Sequence, residues 1–233
     1  MYRKIFVLFF GVFVINTAYS QQLTAQQIIE KSIKAQGGRA ILENVRTLRT
    51  EYKAQLEGRN VTYVIKEMAP NKGSFEIVYE DRVVYKEFFN GTAGFRYERG
   101  RKVPADSAEF KDKLFRKNIF NDLDYLDTGL NSIELIGEAT VNKEQAYKIK
   151  VILRNGAEDI LYYSKESFLP VKKEKIKLQE PGRSNATLFE KYKRFENILM
   201  AAQLILYAGT PEETILKVSK VYINEKVSFA DFE

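Results

Sequence analysis

The strongest constraint in this chain is a two-residue rhythm of apolar side chains, broken by turns, that starts at Thr47 and runs almost to the C-terminus. Leu48, Thr50, Tyr52, Ala54 and Leu56 fall on one face; Thr47, Arg49, Glu51, Lys53 and Gln55 fall on the other. Successive side chains of a strand point to opposite faces, so this alternation predicts a half-buried antiparallel strand. Glu57-Gly58-Arg59-Asn60 turns the chain into a second strand carrying Val61, Tyr63 and Ile65. Pro70-Asn71-Lys72-Gly73 turns it again, before Phe75, Ile77 and Tyr79. Glu80-Asp81-Arg82 precedes Val83, Tyr85, Glu87 and Phe89, and Asn90-Gly91-Thr92-Ala93-Gly94 leads to Phe95 and Tyr97. Turns at a spacing of about ten residues are the mark of a meander of hairpins.

Two segments leave this rhythm. Thr24 followed three residues later by Gln27 makes a capping box, Ile28, Ile29 and Ile33 recur at helical spacing, and Gly37-Gly38 supplies a stop. A second helix is expected over 105–127, capped by Asp106 or Ser107, with Phe110, Leu114, Ile119 and Leu123 on its apolar stripe and a kink near Asn118. Strands resume at Ile133 and Leu135; Tyr147, Ile149, Val151 and Leu153 mark a clear inward face, and Asn155-Gly156 is a strong hairpin dipeptide. The sum is an α+β fold: one strongly curled antiparallel sheet of about ten or eleven strands, an incomplete barrel, whose concave side is covered by the N-terminal helix and the helical insertion.

The first twenty residues have the layout of an export signal. Arg3 and Lys4 precede an apolar run from Ile5 to Ile15, and Ala18-Tyr19-Ser20 offers small residues for cleavage before Gln21. The run is too short to cross a hydrocarbon core of about 30 Å. Residues 1–20 therefore read as a signal peptide and 21–233 as one domain. No cysteine is present, so neither a thioether-linked lipid nor a disulfide is available to the exported chain. The absence of His and Cys removes common zinc sites and Ser–His–Asp triads, and no pair of carboxylates is selected by spacing; no enzymatic role, cofactor or metal is expected. Asp122, Asp124 and Asp127 cluster, but their spacing matches no calcium loop. A formal charge of +6 is spread among alternating lysines and glutamates, which argues against a nucleic-acid partner.

Several segments, in order, resemble the LolA-like superfamily of periplasmic lipoprotein-sorting proteins. They are the helix ending in Gly37-Gly38, the segment Ala40 to Leu48, the Met68-Ala69-Pro70-Asn71-Lys72 turn, Asn90-Gly91 before an aromatic, and the ending Val221-Tyr222-Ile223-Asn224 with Phe229 and Phe232. The chain departs from that family at Glu196 to Ala202, where a proline is missing. None of Arg46, Arg49 and Arg59 stands at the spacing of the family's arginine linking strand to lid. The resemblance implies an incomplete barrel whose apolar cavity takes the acyl chains of lipoproteins or other envelope lipids, in a soluble, monomeric periplasmic carrier. A membrane-bound donor or acceptor protein would be its partner.

On this reading the cavity wall comprises Tyr52, Tyr63, Ile65, Phe75, Ile77, Tyr79, Tyr85, Phe89, Tyr147 and Ile149, and Phe110, Leu114, Ile119 and Leu123 form a lid. Lys173 and Lys175, within a basic run that also holds Lys172 and Lys177, are candidates for a lipid headgroup. Against each stands a plainer alternative: an ordinary core for the aromatics, a fixed helix for the lid, a solvated edge for the lysines. An envelope sensor or a structural, protein-binding module on the same fold is the alternative function.

Overall fold

The computed structural model describes residues 23–105, 108–176 and 184–233, with the backbone alone at 108, 109, 111 and 184. The proposed signal peptide, the Asp106 or Ser107 cap and Lys177 lie outside the described residues.

Among the described residues, thirteen strands form one antiparallel sheet. They are β1 (Thr47–Leu56), β2 (Arg59–Met68), β3 (Lys72–Tyr79), β4 (Arg82–Phe89), β5 (Gly94–Glu98), β6 (Arg101–Pro104), β7 (Asn131–Val141), β8 (Glu144–Leu153), β9 (Glu158–Ser164), β10 (Pro170–Ile176), β11 (Ser184–Phe195), β12 (Ile198–Leu206) and β13 (Thr214–Ile223). Their order across the sheet is β6-β5-β4-β3-β2-β1-β13-β12-β11-β10-β9-β8-β7. Only the β1–β13 junction joins strands distant in sequence, with Leu48 opposite Ile223 and Thr50 opposite Val221. The strand count exceeds the expected ten or eleven, and the fold is mostly β rather than α+β. β6 escaped the sequence reading because it is short, charged and ends in Pro104. Those features also make it an unattractive template at the sheet edge. At the hairpin tips Glu80 and Asp81, and Asn142 and Lys143, take positive φ, the geometry of two-residue turns that match strand twist.

The helices α1 (Ala25–Gln36) and α2 (Arg39–Glu43) precede the sheet, and α3 (Ala108–Lys113) and α4 (Asn121–Tyr125) interrupt it. The expected single helix over 105–127 is instead two short ones. Between them the Asp124 carboxylate accepts hydrogen bonds from the backbone N–H of Lys117 (3.0 Å) and Asn118 (3.2 Å), and from Asn118 Nδ2 (2.7 Å). A buried side chain that satisfies loop amides holds an irregular link in place of a continuous helix.

The α1 capping box is present: Thr24 Oγ1 accepts from Gln27 N, and Gln27 Oε1 accepts from Thr24 N. Its C-cap, Gly37, has φ 143° and lies where an added Cβ would stand 2.7 Å from Asn197 O, so only glycine lets the helix end approach the β11–β12 turn. Ile28, Ile29 and Ile33 of α1 pack on Ile149 and Val151 of β8, Leu161 and Tyr163 of β9, Leu48 of β1 and Ile198 of β12. Leu123 and Tyr125 of α4 complete this core. On the opposite face of β2–β4, Lys66 pairs with Glu76 (3.1 Å) and with Asp231 (2.6 Å) of the C-terminal 3-10 turn Phe229–Phe232, which buries Phe232.

Candidate functional site

A cavity of about 510 Å³ opens between the sheet and the α3–α4 segment. Phe75 of β3 and Asp159 of β9 both line it, yet these strands are seven places apart in the sheet order. In a flat sheet that separation is about 34 Å, so the sheet curls around the cavity.

Two walls of different chemistry result. Ile65, Phe75, Leu204, Leu206 and Leu216, from β2, β3, β12 and β13, make an apolar wall. It continues along the same face into a cluster in which Tyr52, Tyr63, Ala54 and Val61 are buried and Ile77 and Tyr79 partly so. Facing it, Asp159, Lys173, Lys175, Asn185 and Thr187 from β9, β10 and β11 make a polar wall. Lys173 Nζ donates to Asp159 Oδ2 at 2.7 Å and to Tyr125 OH at 3.3 Å. Burial alone would lower the Lys173 ammonium, but Tyr125 and Asp159 outweigh it and hold the group above its usual range. The Tyr125 hydroxyl is pushed up to about 12, chiefly by burial. Lys175 pairs with Asp112 of α3, which also accepts from Asn155 Nδ2 (2.9 Å). The polar wall is therefore made of paired charges rather than a free cationic patch.

Besides these pairs, two further sets of contacts fasten the α3–α4 segment. Arg116 Nη1 donates to Glu67 of β2 at 3.0 Å, and Lys113 Nζ stands 3.7 Å from the same carboxylate. Burial would raise the Glu67 carboxyl, yet Arg116 and Lys113 together hold it below the usual carboxylate range. At α4, Asp122 accepts from Ser32 Oγ (2.8 Å), Gln36 Nε2 (2.7 Å) and Tyr163 OH (2.8 Å), tying α1, α4 and β9 into one buried node. Burial pushes the Asp122 carboxyl up, against the pull of these bonds and Lys173. Gly94 gives Phe110 its seat: an added Cβ there would stand 2.2 Å from the Phe110 ring. Phe110 in turn stacks on Phe89, with ring centres 5.8 Å apart.

Of the residues singled out in the sequence, Ile65, Phe75, Phe110, Lys173 and Lys175 line the cavity. Tyr52, Tyr63, Ile77 and Tyr79 pack beside its apolar wall, on the same face of the sheet. Tyr85 donates to Glu87 at 2.7 Å and meets Phe75 edge-on. Tyr147, stacked on Phe168, and fully buried Ile149 belong to the core under α1, as do Ile119 and Leu123. Leu114 is 45% exposed. Among the described residues, the arginines near the start of β1 and β2 are engaged within the sheet: Arg49 pairs with Glu51, and Arg59 lies over the Tyr79 ring. The arginine linking strand to insertion is Arg116, donated from the other side. Sequence reasoning missed Leu204, Leu206, Leu216, Glu67 and Asp159. The alternation of Leu204 with Leu206 carried a signal; an isolated acid on a strand carried none.

No known family profile matches this sequence, and no curated protein does. The fold does have solved relatives. A LolA superfamily protein from Nitrosomonas europaea superposes with a TM-score of 0.60 at 13% identity, covering 91% of this chain and 98% of that one. A DUF1329 family protein from Desulfovibrio piger gives 0.58 at 13% identity, with 88% and 95% covered. A domain assigned to outer membrane lipoprotein sorting, from Vibrio parahaemolyticus, gives 0.56 at 12% identity, with 89% and 95% covered. The chain thus has a LolA-like fold.

Proposed function

We propose that this protein is an exported, periplasmic carrier that shields the acyl chains of lipoproteins or other envelope lipids and does no covalent chemistry. The observation that carries the reading is the cavity itself. Its volume falls in the range of about 300–1,000 Å³ typical of small-molecule sites, and one of its walls is a continuous apolar surface of Ile65, Phe75, Leu204, Leu206 and Leu216. Each methylene buried there contributes about 0.8 kcal/mol. The solved relative named for outer membrane lipoprotein sorting supports the same reading. None of the described helices is long and apolar enough to cross a membrane, in keeping with a carrier that works between membranes rather than within one. Release requires a movable cover, and the α3–α4 segment, short and fastened by ion pairs, fits that role better than α1.

Native mass spectrometry of the protein purified from a bacterial envelope without detergent, followed by lipid extraction, tests this. Acylated species at near-stoichiometric occupancy are expected. An apo mass that gains nothing on incubation with lipids or lipopeptides overturns the carrier reading in favour of a protein-binding or structural role.

A further inference from the structure

The polar wall holds one group that the protein leaves incomplete. Asp159 is 1% exposed and lines the cavity. Its Oδ2 takes the Lys173 ammonium, while its Oδ1 has no hydrogen-bond partner among the described residues. A buried carboxylate oxygen without a donor costs free energy, so such atoms mark places where something else supplies the proton. The neighbourhood limits what that is. The carboxylate already has its counter-charge in Lys173, and the adjacent Lys175 has its own in Asp112. An anionic head would meet Asp159 across the cavity, and a cationic head would duplicate Lys173. An uncharged N–H or O–H fits, and the apolar wall opposite accepts a hydrocarbon tail.

We infer that the cavity selects amphiphiles whose uncharged head carries a hydrogen-bond donor, a hydroxyl or an amide N–H, bound to Asp159 Oδ1, with the acyl chain along Ile65, Phe75, Leu204, Leu206 and Leu216. This inference rests on the lipid-binding reading above and adds the chemistry of the head. Tyr125 and Lys173 are positioning residues here: Lys173, itself held by Tyr125, occupies Oδ2 and leaves the buried Oδ1 as the acceptor without a partner among the described residues.

The test is a comparison of three probes of one chain length: a monoacylglycerol, the matching fatty-acid methyl ester and the free fatty acid. A hydrogen bond to a charged acceptor predicts that the monoacylglycerol binds about tenfold or more tightly than the methyl ester. The Asp159→Leu/Lys173→Met double variant removes both charges together, a replacement that buried pairs generally tolerate. It is expected to bind the monoacylglycerol and the ester alike, with ester affinity kept. Equal affinity of the wild type for those two probes, tightest binding of the free acid, or a preference that survives in the double variant overturns the inference while leaving the lipid reading in place. Binding of none of the three overturns both. If the double variant does not fold, the monoacylglycerol with both hydroxyls methylated decides on the wild type alone: undiminished binding overturns the inference.

Discussion

One end of the curled sheet and its middle have the same inward rhythm and opposite outcomes. At the end built from β7, β8 and β9, inward residues such as Ile149 and Val151 are fully buried because α1 lies directly on them. In the middle of the sheet, built from β2, β3, β12 and β13, the inward Ile65, Phe75 and Leu204 are only partly buried, because what faces them is the short α3–α4 segment and a cavity. Alternation makes an inner face in both cases. Whether that face becomes core or binding wall depends on which helix reaches it. A long, capped helix with three isoleucines fills its end of the sheet; a six-residue and a five-residue helix do not.

Substitutions at matched positions sharpen this contrast. Ile149→Ala at the filled end is expected to cost about 4 kcal/mol, because the packed surroundings cannot collapse into the void. Chemical denaturation that finds less than about 1 kcal/mol would mean that end is loosely packed. Glu67→Gln leaves Arg116 and Lys113 facing a neutral partner and is expected to cost about 2 kcal/mol at neutral pH. The pH dependence has a definite sign. The folded Glu67 carboxyl lies below its ordinary value of 4.5, so its contribution is complete above that value and is lost as pH falls through the lower folded value. The gap between wild type and Glu67→Gln should therefore narrow on acidification in parallel melts; a gap that widens would contradict the assigned clamp.

Leu204→Ala in the open middle of the sheet is expected to cost only about 1 kcal/mol, since the cavity already borders the removed atoms and little new void is created. The same variant should enlarge the cavity and shift bound acyl species toward bulkier chains, read by mass spectrometry. A loss as large as that of Ile149→Ala would make this wall ordinary core. Leu114→Ser, on an exposed side chain, should stay within about 0.5 kcal/mol of wild type. A larger loss would place Leu114 in the packed cover.

Much of the architecture was legible before any coordinates. The capping box at Thr24 and Gln27, the glycine stop at Gly37, the hairpin at Asn155-Gly156 and the meander from β1 to β5 are local consequences of local residues. The helix over 105–127 was misread because Asp124 satisfies the amides of Lys117 and Asn118 in a way no periodicity displays. The site was less legible than the fold. Lys173 and Lys175 stood out as a basic run, and both do face the cavity, but each is tied to an acid. Asp112 comes from α3 and Asp159 from the neighbouring strand of the hairpin, partners that residue order does not advertise.

The sequence by itself determined the strands, their turns and which side chains share a face, because strand period, turn chemistry and helix caps act over a few residues. Tertiary structure alone decided which part of the inner face is filled, which stays open, and that Asp159 keeps one oxygen unpartnered among the described residues at the cavity wall. Those outcomes depend on where α1 and the α3–α4 segment come to rest. That is fixed by contacts between residues far apart in the chain, such as Asp122 with Ser32 and Glu67 with Arg116. Periodicity records the face a residue shows, and says nothing about what will meet it there.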